Sequence, residues 1–207
     1  MEVRDNIIEQ ADQLICRLGV RSVTMDDLSR HMGISKKTIY QFFKDKDEVV
    51  TLAVGHHCEK EYREFVKMHQ ESSNSIDELF KISQFMRTNV ETIHPSVLHD
   101  IQKYHPKAWT LFEEYKERVF TQNIVDCLKR GKAEGSFRDD IDENILAVLR
   151  MKQVEMAFDA HTYPRGRFEF KEVCEQIFYH FIQGILTDQG RKLYDTIFNK
   201  QSYESQK

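Results

Sequence analysis

Apolar residues recur at intervals of three and four along most of the chain, which is the spacing of one face of an α-helix. The first such run covers residues 3–18, and Gly19 follows it as a helix-ending residue. Only 3 Pro and 8 Gly interrupt the 207 residues, and no alternating, strand-like segment stands between them. The pattern therefore predicts an all-α fold, with further helices over 45–68, 76–93, 96–104, 106–128, 143–161, 168–186 and, after an interruption at Gly190, 191–198.

One segment near the N-terminus, Thr24 to Lys46, predicts two short helices joined by a tight turn. Thr24 and Ser35 are residue types that cap helix N-termini, and Gly33 lies between the helices, where the turn requires a positive φ. A helix, a short turn containing Gly and a second short helix form a helix-turn-helix. Each cap is flanked by an apolar pair that can fix the chain's entry into the helix: Val23 with Leu28, and Ile34 with Ile39.

Later helix starts carry similar signals. Asp45 with Glu48, and Ser75 with Glu78, have the spacing of capping boxes. Pro95 and Pro106 suit the first turn of a helix, because that turn needs no hydrogen bond from their nitrogen.

The charge of the segment supports an interaction with phosphates. Residues 30–46 contain five basic residues and one acid, a net charge of +4, whereas the whole chain carries −4, so the remainder carries −8. A basic surface on an otherwise acidic protein favours local rather than indiscriminate binding to nucleic acid.

The segment resembles the DNA-binding signature of the TetR/AcrR family of bacterial transcriptional regulators. The resemblance lies in the T-M-D-D-L entry, the HMGIS turn, the KKTIYQFF helix and the K-D-K that starts the next helix. It implies an N-terminal three-helix DNA-binding domain, residues 1–47, and a C-terminal helical ligand-binding and dimerisation domain, residues 48–207. It also implies a regulator, most simply a repressor, that binds a palindromic double-stranded DNA operator as a homodimer and responds to a small, partly apolar effector.

Within the second short helix, the first residues are the ones that reach base edges in the major groove. Lys36 and Lys37 could bind guanine, Thr38 a base or a phosphate, and Gln41 could read adenine or stay solvated. On an isolated helix the two lysines would be ordinary solvated charges, but the helix-turn-helix context favours DNA contact. The resemblance assigns phosphate contacts to Tyr40 and Lys46, and Thr24 and Lys44 are further candidates for phosphate contacts. The predicted DNA-binding set is Thr24, Ser35, Lys36, Lys37, Thr38, Tyr40, Gln41, Lys44 and Lys46.

The larger domain offers candidates for two other roles. Aromatic and Met side chains could enclose an effector cavity or simply fill the core, and the candidates are Phe85, Trp109, Phe112 and Met151. The two C-terminal apolar helices carry apolar residues on more than one face, as expected where a helix also contacts a second subunit. The predicted dimer-interface residues are Phe158, Phe178, Phe181, Ile182 and Ile185.

Metal and thiol chemistry has little support in the sequence. The four cysteines are far apart, which predicts buried thiols, and the nine histidines form no H-x-x-x-H pattern. Adjacent His56 and His57 point in different directions on a helix, so no metal site and no cofactor are expected. A metal- or thiol-responsive regulator remains an alternative, with the candidates His94, His99, His105 and Cys127. A helical-bundle enzyme is the least favoured alternative, because no nucleophile is spaced beside a base.

The sequence also predicts the compartment. No apolar run approaches the roughly 20 residues needed to span a bilayer, and the N-terminus carries acids where a signal peptide needs apolar residues. We therefore expect a soluble, cytoplasmic protein with no membrane partner.

Overall fold

The structure, a computed structural model, describes residues 2–94, 96–159, 161–164 and 166–204, without the side chains of 89–91, 158 and 198–204. Within these residues the fold is helical and contains no β-strand, and one isolated antiparallel bridge joins Phe137 to Leu186. None of the described helices is both long enough and apolar enough to cross a membrane. The all-α prediction is confirmed.

The helices follow the chain in a simple order. They are α1 (Val3–Leu18), α2 (Met25–Met32), α3 (Lys36–Phe42), α4 (Lys46–Glu71), α5 (Ser75–Thr92), α6 (Val97–Tyr104), α7 (Pro106–Tyr115), α8 (Gln122–Ala133), α9 (Glu143–Phe158), α10 (Phe170–Ile185) and α11 (Asp188–Glu204). A π-helical segment, Lys116–Thr121, connects α7 to α8.

Several predicted helix boundaries are confirmed. Gly19 caps the C-terminus of α1: it has φ 84° and donates its amide hydrogen to the carbonyl of Ile15 at 2.9 Å. Pro106 opens α7, as its fixed φ allows. The corresponding prediction for Pro95 lies outside the described residues.

Gly190 does not interrupt a helix, which corrects the sequence prediction. It lies inside α11, where Thr187 Oγ1 accepts a hydrogen bond from its amide at 3.0 Å. A Cβ atom at Gly190 would come within 2.1 Å of the backbone oxygen of Ser136. Glycine therefore permits close packing at this position, and the sequence pattern mistook it for a break.

The predicted capping box of Ser75 and Glu78 is also wrong. Asn74 caps α5, since its Oδ1 accepts hydrogen bonds from the amides of Ile76 and Asp77 at 3.1 and 3.0 Å. Ser75 instead donates from its amide and its hydroxyl to Oε2 of Glu134, at 2.9 and 2.7 Å. Ser75 therefore binds a carboxylate that is distant in the sequence, although local spacing predicted that it would cap α5.

The chain forms two compact units, each with a core of its own. Unit 1 contains residues 1–64 and 88–117, and unit 2 contains residues 65–87 and 118–207. The core of unit 1 includes Ile7, Leu28, Ile39, Phe43 and Val50. The core of unit 2 includes Ile76, Leu128, Phe137, Phe178 and Ile182. These units are packing units, and the functional boundary at residue 47 stays a prediction.

Candidate nucleic-acid interface and effector site

Two helix caps set the geometry of the helix-turn-helix. Thr24 Oγ1 accepts a hydrogen bond from the amide of Asp27 at 3.1 Å, and Asp27 Oδ2 accepts one from the amide of Thr24 at 3.0 Å. Ser35 Oγ accepts a hydrogen bond from the amide of Thr38 at 3.0 Å. Both predicted caps are confirmed, and together they define where α2 and α3 begin.

Gly33 makes the turn between these helices. It has φ 66°, in the left-handed region, and its amide donates to the carbonyl of Arg30. The next amide, that of Ile34, donates to the carbonyl of Ser29 at 3.1 Å, so two of the last carbonyls of α2 accept hydrogen bonds from the turn. The positive φ expected at this glycine is confirmed.

Helix α3 has one buried and one exposed side. Ile39 and the following Phe43 are completely buried in the core of unit 1. The opposite side exposes a mixed basic and aromatic surface, consisting of Lys36, Lys37, Tyr40, Gln41 and Phe42. Burying one side fixes the helix in place, so the exposed side forms a preformed contact surface.

Lys36 has a partner on this surface. Its Nζ atom donates to Oδ2 of Asp26 at 2.8 Å, and this bond raises the pKa of Lys36. Both side chains are largely exposed. Exposed ion pairs contribute little to stability, because water and salt screen them, so a phosphate or a base edge can compete for this lysine.

Lys46 has a structural contact as well as a predicted DNA contact. Its Nζ atom donates to the backbone carbonyl of Val20 at 2.7 Å, which ties the start of α4 to the chain after α1. Burial lowers the pKa of Lys46. An ammonium group has three donors, so two remain for a phosphate.

The structure thus places the predicted DNA-binding residues in two groups. The first group is on the exposed side of α3 and consists of Lys36, Lys37, Tyr40 and Gln41, with Lys44 exposed just after the helix. The others are at the borders of the motif, where Thr24 and Ser35 use their hydroxyl oxygens as helix caps, Thr38 is half-buried and Lys46 binds a carbonyl. Their roles in DNA binding stay predictions.

Unit 2 contains a cavity among α5, α8 and α9. Its empty volume is about 490 Å³ when space open to solvent is included, and the enclosed part is small. The polar residues in the lining are Ser83, Asn123 and Arg150. The apolar lining residues are Phe65, Leu79, Ile82, Met86, Phe120, Ile124, Met151 and Val154.

Arg150 is the charged group of this cavity. Its Nη2 atom donates to Ser83 Oγ at 3.5 Å, and its guanidinium lies 5.5 Å from the ring centre of Phe178 and 5.6 Å from that of Phe181. Burial lowers its pKa to about 10, so it still carries a positive charge at neutral pH. In the described part of the chain no carboxylate pairs with it. Sequence reasoning missed Arg150, although a cation within a strongly apolar helix was a usable signal.

The four predicted effector residues do not line one cavity. Met151 lines the cavity of unit 2, and Phe85 packs edge-on against the lining ring of Phe65, with centres 5.5 Å apart. Trp109 and Phe112 pack against the core of unit 1, with their own rings 5.6 Å apart. For these two aromatics the core interpretation that the sequence left open fits better.

The predicted dimer-interface residues need correction. Phe178, Phe181, Ile182 and Ile185 are buried within unit 2, and Ile182 has no exposed surface. Side chains already covered by their own chain cannot supply the surface that a partner covers. The side chain of the fifth residue, Phe158, lies outside the described residues.

Helix α9 instead exposes an apolar stripe. Ile145 is 67% exposed, Val148 54%, Leu149 46% and Met156 38%. Their positions differ by three, one and seven residues, which places them on one side of a helix. This set, called the α9 stripe below, is a better candidate for a surface that another subunit covers.

The residues of the metal- or thiol-responsive alternative are not gathered in one place. His94 Nδ1 lies 3.1 Å from Ser96 Oγ, His105 Nδ1 lies 2.8 Å from Asp47 Oδ1, and His99 is exposed. Cys127 is buried in the core of unit 2, and burial raises its pKa well above the ordinary value. These four positions form no common ligand set.

Comparison with known proteins gives consistent matches. Residues 7–52 match the family described as bacterial regulatory proteins, tetR family. The chain is 23% identical to the uncharacterised HTH-type transcriptional regulator YvaF of Bacillus subtilis, over 88% of this chain and 95% of that protein. It is 23% identical to the HTH-type transcriptional repressor KstR2 of Mycolicibacterium smegmatis, over 91% and 93% of the two chains. A transcriptional regulator from Saccharomonospora viridis, solved in complex with choline, has the same fold, with a TM-score of 0.74, 19% identity and coverage of 89% and 97%.

Proposed function

The chain belongs to the TetR family of bacterial transcriptional regulators, and we propose that it represses transcription as a cytoplasmic homodimer on a palindromic operator. The observation that carries the proposal is the capped helix-turn-helix, in which Gly33 connects α2 to an α3 whose exposed side is basic. A helix of this kind enters the major groove with its N-terminal residues against the base edges.

In the proposed complex, the residues of α3 divide by role. Lys37 is exposed and pairs with no side chain in the described part of the chain, so it is the best placed to read a guanine edge. Lys36 gives up its exposed hydrogen bond to Asp26 and contacts the DNA instead. Tyr40, Lys44 and Lys46 bind phosphates and position the helix without reading sequence.

A homodimer is required because one DNA-binding domain offers too few base contacts to select a single genomic site. Two DNA-binding domains related by a twofold axis read two half-sites about one turn of the DNA helix apart. The exposed α9 stripe supplies an apolar surface for the second subunit. An isologous contact through this stripe produces the symmetry that a palindromic operator requires.

For the effector, we favour a small amphipathic anion bound in the cavity of unit 2. A half-buried cation that pairs with no carboxylate among the described residues attracts an anionic head group, while the apolar lining accepts a hydrocarbon body. The choline complex of the regulator from Saccharomonospora viridis supports small-molecule binding in a protein of this fold. The chemistry at Arg150 supports an anion in this chain instead of a cation.

Release from DNA follows from a difference in affinity between two conformations. Because the enclosed part of the cavity is small, a ligand of useful size binds better when α5, α8 and α9 are farther apart. A ligand shifts the equilibrium only by this difference in affinity. Effector binding therefore favours a conformation that binds the operator less well.

The function is tested by selecting bound fragments from genomic DNA of the source organism with the purified protein. We expect enrichment of one inverted repeat, and repression of a promoter carrying it in a reconstituted transcription assay. Substitution of Lys37 by Ala should remove the enrichment while leaving helical content unchanged. Failure to enrich any sequence over random fragments would contradict sequence-specific binding.

The effector class is tested with three probes of equal chain length below their micelle concentrations: decanoate, decanol and decyltrimethylammonium. We expect only decanoate to raise the melting temperature and weaken operator binding. Arg150→Met should abolish the effect and keep the contacts with Phe178 and Phe181 apolar, while Lys152→Met on the same helix serves as control. Stabilisation by the cationic probe alone would overturn the anion assignment without affecting DNA binding.

A further inference from the structure

Three potential ligand atoms meet between α1 and α4 in unit 1. Asp12 and Cys16 lie one turn apart on α1, and His57 lies on α4. His57 Nδ1 is 3.0 Å from Asp12 Oδ1 and 3.7 Å from Cys16 Sγ, and Cys16 Sγ is 3.4 Å from Asp12 Oδ1. A carboxylate oxygen, a thiol sulfur and an imidazole nitrogen therefore form a small triangle.

The size of this triangle fits one face of a tetrahedral zinc site. With Zn–N and Zn–O bonds near 2.1 Å and a Zn–S bond near 2.3 Å, ligand atoms at the tetrahedral angle are separated by about 3.4 Å between nitrogen and oxygen and about 3.6 Å from sulfur to either. The three observed distances differ from these values by no more than about 0.4 Å. Little movement is needed for all three atoms to bind one ion.

The surroundings of His57 have the arrangement found behind metal-bound histidines. Its other ring nitrogen, Nε2, lies 3.6 Å from Oε1 of Glu61, one turn further along α4. A carboxylate near Nε2 favours a proton on that nitrogen, which leaves Nδ1 for the metal. His56 Nδ1 lies 3.4 Å from the second oxygen of Asp12 and can support that carboxylate or, after rotation, approach the fourth position.

We propose that Asp12, Cys16 and His57 bind one Zn²⁺ ion that joins α1 to α4. The ligand set of one thiolate, one imidazole and one carboxylate is the borderline-soft combination that zinc prefers, and the fourth position belongs to water or His56. Asp12 is buried while Cys16 and His57 are half-buried, so the ion can enter from one side.

A hydrogen-bond network without metal is the competing explanation. The buried Asp12 carboxylate needs a positive charge nearby, and a protonated His57 can provide it. Burial raises the pKa of Cys16, so its thiol is protonated without metal. Zinc would replace these protons, binding both the thiolate and the neutral imidazole, as it does in other sites of this kind.

The sequence alone predicts no metal site because the ligands come from two helices about forty residues apart. The adjacent His56 and His57 were expected to point in different directions on their helix, yet both contact Asp12, one at each carboxylate oxygen. Two helices that pack side by side bring their side chains together in a way that no local spacing records.

The test uses the full-length protein without a His tag, reduced and stripped of metal, with Co²⁺ as the spectroscopic probe. We expect one equivalent of Co²⁺ to bind and produce a thiolate-to-cobalt charge-transfer band in the near ultraviolet, which Zn²⁺ then removes. Cys16→Ser should abolish the band, and Cys174→Ser, a half-buried cysteine of unit 2, should leave it unchanged. Glu61→Gln should weaken binding by about 10-fold, through His57.

Two results would overturn the proposal: no Co²⁺ or Zn²⁺ binding by the wild-type protein, or a band that survives in Cys16→Ser. Helical content measured by circular dichroism shows whether each variant folds, and the wild-type titration decides the matter without any variant. A second measurement is operator affinity with and without Zn²⁺, which rests on the proposed function. Metal binding with unchanged operator affinity leaves the site structural, whereas loss of operator binding in both metal states would contradict the proposed function alone.

Discussion

His105 Nδ1 lies 2.8 Å from Asp47 Oδ1, so the residue before α7 contacts the first turn of α4. The imidazole is largely buried and the carboxylate partly exposed. Both residues belong to unit 1, and α4 begins directly after the proposed recognition helix. The contact therefore fixes the start of α4 from outside the three-helix core.

We predict that His105→Ala lowers the free energy of unfolding by about 0.5 to 1.5 kcal/mol, since a partly buried hydrogen bond is lost. Urea unfolding followed by circular dichroism measures this change. His99→Ala on the exposed side of α6 is the matched control and should stay within about 0.5 kcal/mol of wild type. Equal losses in the two variants would mean that the contact with Asp47 adds no stability.

Lys37→Ala and Lys46→Ala should affect DNA binding in different ways. Loss of Lys37 should cost about 1 to 3 kcal/mol at particular base pairs, because it removes base readout. Loss of Lys46 should weaken binding to every duplex alike and flatten the salt dependence. It should also lower stability, because the bond to the Val20 carbonyl is lost.

Fluorescence anisotropy on operator and random duplexes at several salt concentrations separates these effects. Lys192→Ala, on the exposed side of α11 in unit 2, controls for the loss of one positive charge. If Lys37→Ala and Lys46→Ala behave identically on both duplexes, the division into readout and positioning is wrong.

Gly33→Ala should destabilise the protein by about 1 to 2 kcal/mol, the cost of placing a side chain in the left-handed region. No atom lies within 4 Å of the added methyl group, so the cost comes from the backbone alone. Gly184→Ala is the matched control, because this helical glycine also has open space around its Cβ position and no positive φ. It should be neutral or stabilising by up to about 1 kcal/mol. Chemical denaturation measures both variants, and a neutral Gly33→Ala would argue against strain at the turn.

A charged network in unit 2 joins α5 to α8. Arg130 donates from Nε to Oε1 of Glu134 at 2.8 Å and from Nη1 to Oε2 of the buried Glu78 at 3.1 Å. Burial raises the pKa of Glu134, but hydrogen bonds from Ser75 and Arg130 outweigh it and hold that pKa below its ordinary value of 4.5. The ionised carboxylate is therefore favoured in the folded state.

This shift predicts a pH dependence of stability. A carboxyl group with a lowered pKa in the folded state stabilises the protein above about pH 4.5, and this contribution is lost as the pH falls through the folded value. Glu134→Gln should therefore be less stable than wild type at pH 7 and lose less stability between pH 5 and pH 3. Urea unfolding across this range measures the slope, with the exposed Glu114→Gln as control. If the stability of Glu134→Gln falls with pH as steeply as that of wild type, the Glu134 carboxylate is not the source of the pH dependence.

The local structure of the helix-turn-helix could be predicted because its determinants are close together in sequence. Thr24 with Asp27, Ser35 with Thr38, and the positive φ of Gly33 each depend on residues within one helical turn. The same reasoning failed at Ser75, where the hydroxyl binds Glu134, a residue 59 positions away. A cap predicted from spacing holds only when no distant group competes for it.

The sequence by itself determined the helical fold, the capped α2 and α3, and the basic side of α3, since helix periodicity and capping act over a few residues. Only the tertiary structure decided which apolar side chains are covered: it buried Ile182 and exposed the α9 stripe, although both lie on strongly apolar helices. It also placed Arg150 in an apolar cavity and brought His57 to Asp12 and Cys16. These features depend on how helices pack against each other, and packing is set by side-chain shape across the whole unit rather than by spacing along one helix.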